Sequence, residues 1–130
     1  MRILIVDGDP SVARALIRLA SSILVSLGQL DSLLVEMPSE DMALAELDKA
    51  DMVIISMDSL PKAEVIRTAL EMGITVALFG DEESLEEIGP ETPLLKTLPW
   101  PGLPYQKLMS IIRELCPGAA GGDDQIAFAA

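Results

Sequence analysis

The segment Asp51-Met52-Val53-Ile54-Ile55-Ser56-Met57 constrains the fold more than any other part of the chain. It is the most hydrophobic short run, and it lacks the apolar-polar alternation of a strand with one wet face. Such a run reads as a strand covered on both faces, which places it centrally in a parallel sheet. A parallel sheet in turn requires crossover helices between its strands, so the flanking segments have to alternate in type.

They do. Arg2 to Val6 reads as a buried strand ending at the turn Asp7-Gly8-Asp9-Pro10. From Ser11 the apolar residues Val12, Ala15, Leu16, Leu19 and Ile23 recur at helical spacing, with Pro10 suited to the start and Gly28 to the end. Ser32 to Met37 is strand-like, and Ser39-Glu40-Asp41 offers cap chemistry for a helix running to about Lys49. After the central run come a helix over Pro61 to Met72 closed by Gly73, a buried strand over Ile74 to Phe79, and a short acidic helix over Glu82 to Ile88. Thr92 to Leu98 supplies the last strand and Pro104 to Leu115 an amphipathic helix. Five strands alternating with five helices predict an α/β, doubly wound parallel sheet. Residues 1–116 are expected to form one domain and 117–130 a flexible tail.

Composition removes several function classes. The chain has 130 residues with Lys+Arg 9 against Asp+Glu 21, a formal net charge of -12. That balance argues against phosphate backbones and anionic membranes, and only 3% aromatic residues leaves no platform for stacking bases. With no histidine and one cysteine, Cys116, the usual zinc, haem and His-assisted nucleophile sites are out of reach. Only oxygen-ligand metal chemistry stays open. The lone thiol suits a reducing compartment and Met1-Arg2 runs straight into a strand, so a cytoplasmic location is expected. The longest apolar neighbourhood, Ala15 to Leu27, holds Arg18 and several serines, and no membrane insertion is expected. The methionines Met42, Met52, Met57, Met72 and Met109 read mostly as core fillers.

In an open parallel sheet ligands bind at the carboxyl ends of the strands, where the winding reverses. The ends that matter are Asp7-Gly8-Asp9, Ser56-Met57-Asp58, Phe79-Gly80-Asp81 and Thr97-Leu98-Pro99. A Val-Asp-x-Asp-Pro after strand one, Asp-Met-Val-Ile-Ile-Ser on strand three and Pro-Trp before the last helix together resemble the receiver domain of bacterial response regulators. The resemblance covers Met1 to about Leu115 and implies a flavodoxin-like sheet of strand order 2-1-3-4-5.

The family carries two acids after strand one for Mg²⁺, a phosphoacceptor Asp after strand three, Ser or Thr after strand four, and Lys before Pro after strand five. Here Asp7 matches the first acid, Gly8 stands at the second and Asp9 one residue on. Counting from Asp51 puts Ser56 at the acceptor position, whereas counting back from Pro61 gives Met57; Asp58 is a displaced candidate. Gly80 replaces the hydroxyl and Leu98 the lysine, with Lys96 two positions earlier. The family's aromatic switch position falls near Leu95, and Trp100 follows Pro99 where a Phe is common. The resemblance is therefore to a degenerate, pseudo-receiver module, not an enzyme, with no cofactor expected beyond Mg²⁺ on Asp7 and Asp9 as an open alternative.

Such a module would act in signal transduction by phosphorylation-independent contact with a protein partner or a second copy. Trp100 and Tyr105, with Leu95 and Lys96, are the candidate interface residues. The acidic set Asp81, Glu82, Glu83, Glu86, Glu87 and Glu91 reads as a docking face for a basic partner or as a solvated helix. Two alternatives stand beside this. One is a Mg²⁺-dependent phosphoacceptor using Asp58 with Asp7 and Asp9; the other is a small-ligand-binding flavodoxin-like domain.

Overall fold

A computed structural model describes residues 1–7, 9–57, 63–100 and 104–116. The order of elements is β1 (Arg2–Val6), α1 (Pro10–Ser26), β2 (Leu33–Met37), α2 (Glu40–Glu46) with a 3-10 turn Leu47–Lys49, β3 (Met52–Ser56), α3 (Ala63–Glu71), β4 (Thr75–Asp81), α4 (Glu82–Glu86), β5 (Leu95–Trp100) and α5 (Tyr105–Leu115). The strands form one parallel sheet in the order β2-β1-β3-β4-β5. The expected flavodoxin-like, receiver-like topology is thus the observed one.

β3 is the centre of this sheet for the reason its sequence gives: all five of its residues are buried. Alternate residues of each strand feed two separate cores. Ile3, Ile5, Met52, Ile54, Ala77 and Leu98 pack under α1 and α5, whereas Leu4, Val6, Val53, Ile55, Val76 and Leu78 pack under α2 and α3. Full burial of an aliphatic side chain of this size contributes roughly 1.5–3 kcal/mol, so the aliphatic strands carry the stability that aromatic residues supply elsewhere.

Local signals set the helices. Asp9 caps α1 by accepting the Ser11 amide at 2.9 Å, and Pro10 fills the first turn. Gly28 and Gly73 follow α1 and α3 with φ of 76° and 77°, the left-handed conformation that ends a helix most readily in glycine. α2 is shorter than its sequence suggested and tightens into the 3-10 turn. In this short element Ala43 and Leu47 turn inward, leaving Met42 on the outer side at 48% exposure instead of in the core. Met72, at the end of α3, is 46% exposed for the same reason of position, while Met52 and Met37 are buried.

β5 begins later than the sequence suggested and runs through Pro99. Proline is tolerated there because β5 is an edge strand, and an outward position on an edge needs no amide. The segment 117–130 lies outside the described residues.

Candidate functional site

The carboxyl ends of β1, β3, β4 and β5 lie side by side, and the order reverses between β1 and β3. At β1, Asp7 is 1% exposed, and its Oδ1 accepts the Asp9 amide at 2.7 Å. The Asp7 amide in turn donates to the Met37 carbonyl. Asp9 is exposed and its carboxylate is the α1 cap. The two acids therefore act in sequence along one turn: Asp7 fixes Asp9, and Asp9 opens α1. Gly8 lies outside the described residues.

At β3, Ser56 is fully buried beside Phe79 of β4. It shares the face of Met52 and Ile54, toward α1 and α5. The Met57 amide donates to the Phe79 carbonyl and its side chain packs into the core on the opposite face. Asp58 lies outside the described residues.

At β4 the packing explains Gly80. A Cβ built there meets the Met57 Cβ at 3.0 Å. The space that a serine or threonine would use is filled by Met57. The position reached by counting back from Pro61 therefore occupies the space beside Gly80, and this contact of Met57 was not read from the sequence. Its signal was the disagreement between the two counting registers. Next in line, Asp81 is the α4 cap: its Oδ1 accepts the Ser84 amide at 2.7 Å. The backbone and then the side chain of Ser84 hold the Asp81 carboxyl below its ordinary value.

At β5, Leu98 is fully buried in the α1–α5 core. Lys96 is half-buried and forms no ion pair among the described residues. Leu95 is 8% exposed and belongs to the opposite core, so it is corrected from interface residue to core residue. The Trp100 backbone ends β5 opposite Asp81; its side chain lies outside what is described. Tyr105 is half-buried, with its hydroxyl 3.5 Å from Ser26 Oγ, bridging α5 to α1.

A magnesium ion takes an octahedron of oxygens. Asp7 and Asp9 each give one oxygen to a backbone amide. No group of three acidic, cysteine or histidine side chains gathers among the described residues. Asp7 and Asp9 are thus the acids that the described strand ends bring to this turn, and Asp58 lies outside the described residues. Burial pushes the Cys116 thiol up, which opposes thiolate chemistry there.

One polar cluster lies beside β5, built on Glu91 of the acidic set that reads in sequence as a docking face or a solvated helix. Glu91 Oε2 accepts the Thr97 amide at 2.8 Å, the Thr97 hydroxyl at 3.1 Å and the Lys107 ammonium at 2.6 Å. This ties the loop before β5 to α5. It also lines an open groove of about 310 Å³ between α4, Thr97, Pro99 and Lys107.

The chain matches no protein-family model and no curated protein sequence. Solved structures do match. A protein assigned as a response regulator from Chloroflexus aurantiacus J-10-fl superposes with a TM-score of 0.63 at 17% identity, covering 89% of this chain and 97% of that one. A response regulator receiver protein from Sinorhizobium medicae WSM419 gives 0.60 at 19% identity, covering 89% and 94%. A designed protein of Rossmann 2x3 fold gives 0.59 at 17% identity, covering 89% of each. The likeness to all three, one of them a de novo design, is a likeness of fold, so fold and function have to be argued separately.

Proposed function

We propose that this chain is a receiver-like signalling module that works by protein-protein contact and has given up aspartyl phosphorylation. The observation that carries this reading is the row of strand ends. Ser56 is buried where the acceptor carboxylate is expected, Met57 occupies the space beside Gly80, Leu98 is buried where a lysine is expected, and Asp9 is occupied as a helix cap.

Phosphoryl transfer depends almost wholly on positioning and on charge neutralisation by metal and cation. Among the described residues that row holds one buried carboxylate, Asp7, with the neutral neighbours Ser56, Gly80 and Leu98, which supply neither. The contact surface is the face of β4, α4, β5 and α5, with Lys96, Trp100 and Tyr105 as its candidate residues and a cytoplasmic signalling protein as partner. In a phosphorylated receiver the phosphoryl group biases that face between two states; here sequence and partner would set its state.

Beryllofluoride with Mg²⁺, an acyl-phosphate mimic, tests this by amide chemical shifts. The expected result is no saturable shift at Asp7, Ser56 or Gly80. Saturable shifts centred on Asp7 and Asp58 would instead establish the displaced phosphoacceptor. A pull-down comparing wild type with Trp100→Ala tests the aromatic anchor, with reduced partner recovery expected.

A further inference from the structure

Among the described residues no strand pairs with the outer side of β2. Leu33 donates its amide to the Met1 carbonyl and Met37 accepts from the Asp7 amide, so Leu33, Val35 and Met37 bond toward β1. Leu34 and Glu36 therefore turn both N–H and C=O outward. Among the described residues no side chain bonds either amide. Of the five exposed large apolar side chains among the described residues, four belong to β2, the end of α1 and the loop that joins them, or to α2 beside it: Val25 at 59%, Leu30 at 74%, Leu33 at 49% and Met42. The strand holds no lysine, proline or other device that natural edges use against pairing, apart from Glu36.

We propose that this edge pairs antiparallel with the β2 edge of a second copy of this chain, about a twofold axis at Val35. The outward residues are placed symmetrically around Val35, so Leu34 of one copy lies opposite Glu36 of the other. Each such pair exchanges two N–H···O=C bonds. One surface thus supplies donors and acceptors to its own copy, as a twofold interface requires. The register also sets Glu36 against leucine and not against another Glu36.

Charge selects the same partner. α1 is the helix without an acidic residue in a chain of net charge -12, and it carries exposed Arg14 and Arg18, which form no ion pair among the described residues. Ser26 meets Tyr105 on the α5 flank; Arg14 and Val25 lie roughly a third of the circumference away, toward β2. Glu36 shares the face of Leu34, which packs under α1. In a twofold pairing the same faces adjoin, so Glu36 approaches the second copy's α1. The facing Leu34 lies roughly 10 Å below the strand end. α1, descending antiparallel, reaches Arg18 at roughly 12 Å.

Sedimentation of the full chain from micromolar to millimolar concentration tests this. A monomer-dimer equilibrium is expected, with the Leu34 and Glu36 amides gaining exchange protection as concentration rises. Glu36→Pro removes one outward amide and no bond to β1; it should weaken the dimer ~10-fold or more. Leu30→Lys, at a mostly exposed site, should weaken it without touching the fold. Glu36→Arg and Arg18→Glu should each weaken it and together restore it, which a merely structural role would not do. A chain that stays monomeric throughout overturns the proposal. So does a dimer that survives both edge variants, or single charge variants that fail to compensate; survival would assign association to another face.

Discussion

At the β5 edge the outward amides are answered from within the chain. The Leu95 amide donates to Thr92 Oγ1 at 3.0 Å, the Thr97 amide to Glu91 Oε2, and Pro99 has no amide to satisfy. At the β2 edge the equivalent positions, Leu34 and Glu36, have no such cover among the described residues. The difference extends inward. β5 sends Leu98 and Leu95 into the two cores, whereas in β2 only Met37 is buried. A strand sealed outside and anchored inside serves as a boundary. A strand open outside and loosely anchored is one that another backbone can complete.

The inner half of this contrast should give the largest effect. Leu98→Ala removes a fully buried side chain under α5 and should cost about 2–5 kcal/mol in urea unfolding. Val35→Ala, at a half-buried site, should cost about 1 kcal/mol. Equal losses would break the contrast, since they would mean that the two edge strands are anchored alike.

Next in size is the crowded end of β4. Gly80→Ser places a Cβ against Met57 Cβ, backbone-proximal carbon that cannot swing aside, and should destabilise by about 1–3 kcal/mol. Met57→Ala leaves that Cβ in place but removes the rest of the side chain. The double variant should recover part of the loss, because removing Cγ, which lies 3.4 Å from the added carbon, relieves the second contact and frees space into which the residue 57 Cβ can shift. Additive losses in the thermal melt would show that Met57 does not occupy the space beside Gly80.

Much of the fold was legible because each strand and helix announces itself locally. The run Met52–Ser56 named its own place, and Pro10, Ser39 and Gly28 marked helix ends that the structure keeps. The candidate site was legible mainly as replacement: Ser56, Gly80 and Leu98 stand at strand ends as counted. What fills it was not, because the contact of Met57 with Gly80 depends on two strands in register, which no local pattern contains. Leu95 was misread for a related reason. Alternation gives two faces to an edge strand, and only packing shows that both are covered. Glu91 looked like one more surface acid, since its three partners come from a later strand and helix.

Glu91 carries the smallest effects and the finest test of the sealed edge. Glu91→Ala would leave the Thr97 amide to water and cost about 1 kcal/mol, with faster exchange at that amide. Titration should do the same reversibly. The Lys107 ammonium, opposed in part by burial and aided by the Thr97 amide and hydroxyl, holds the Glu91 carboxyl below its ordinary 4.5. A depressed folded value means that the unfolded chain takes up the proton first. The stabilisation is therefore complete above about 4.5 and is lost as pH falls through the lower folded value. Because the carboxylate is partly exposed and screened, the loss in overall stability should be slight, but it should be focused on one amide. Thr97 protection, corrected for intrinsic exchange, should fall below pH 4.5 while that of Leu34 and Glu36 at low protein concentration stays flat. A Thr97 amide that keeps its protection in acid would mean that the carboxylate is not what seals β5.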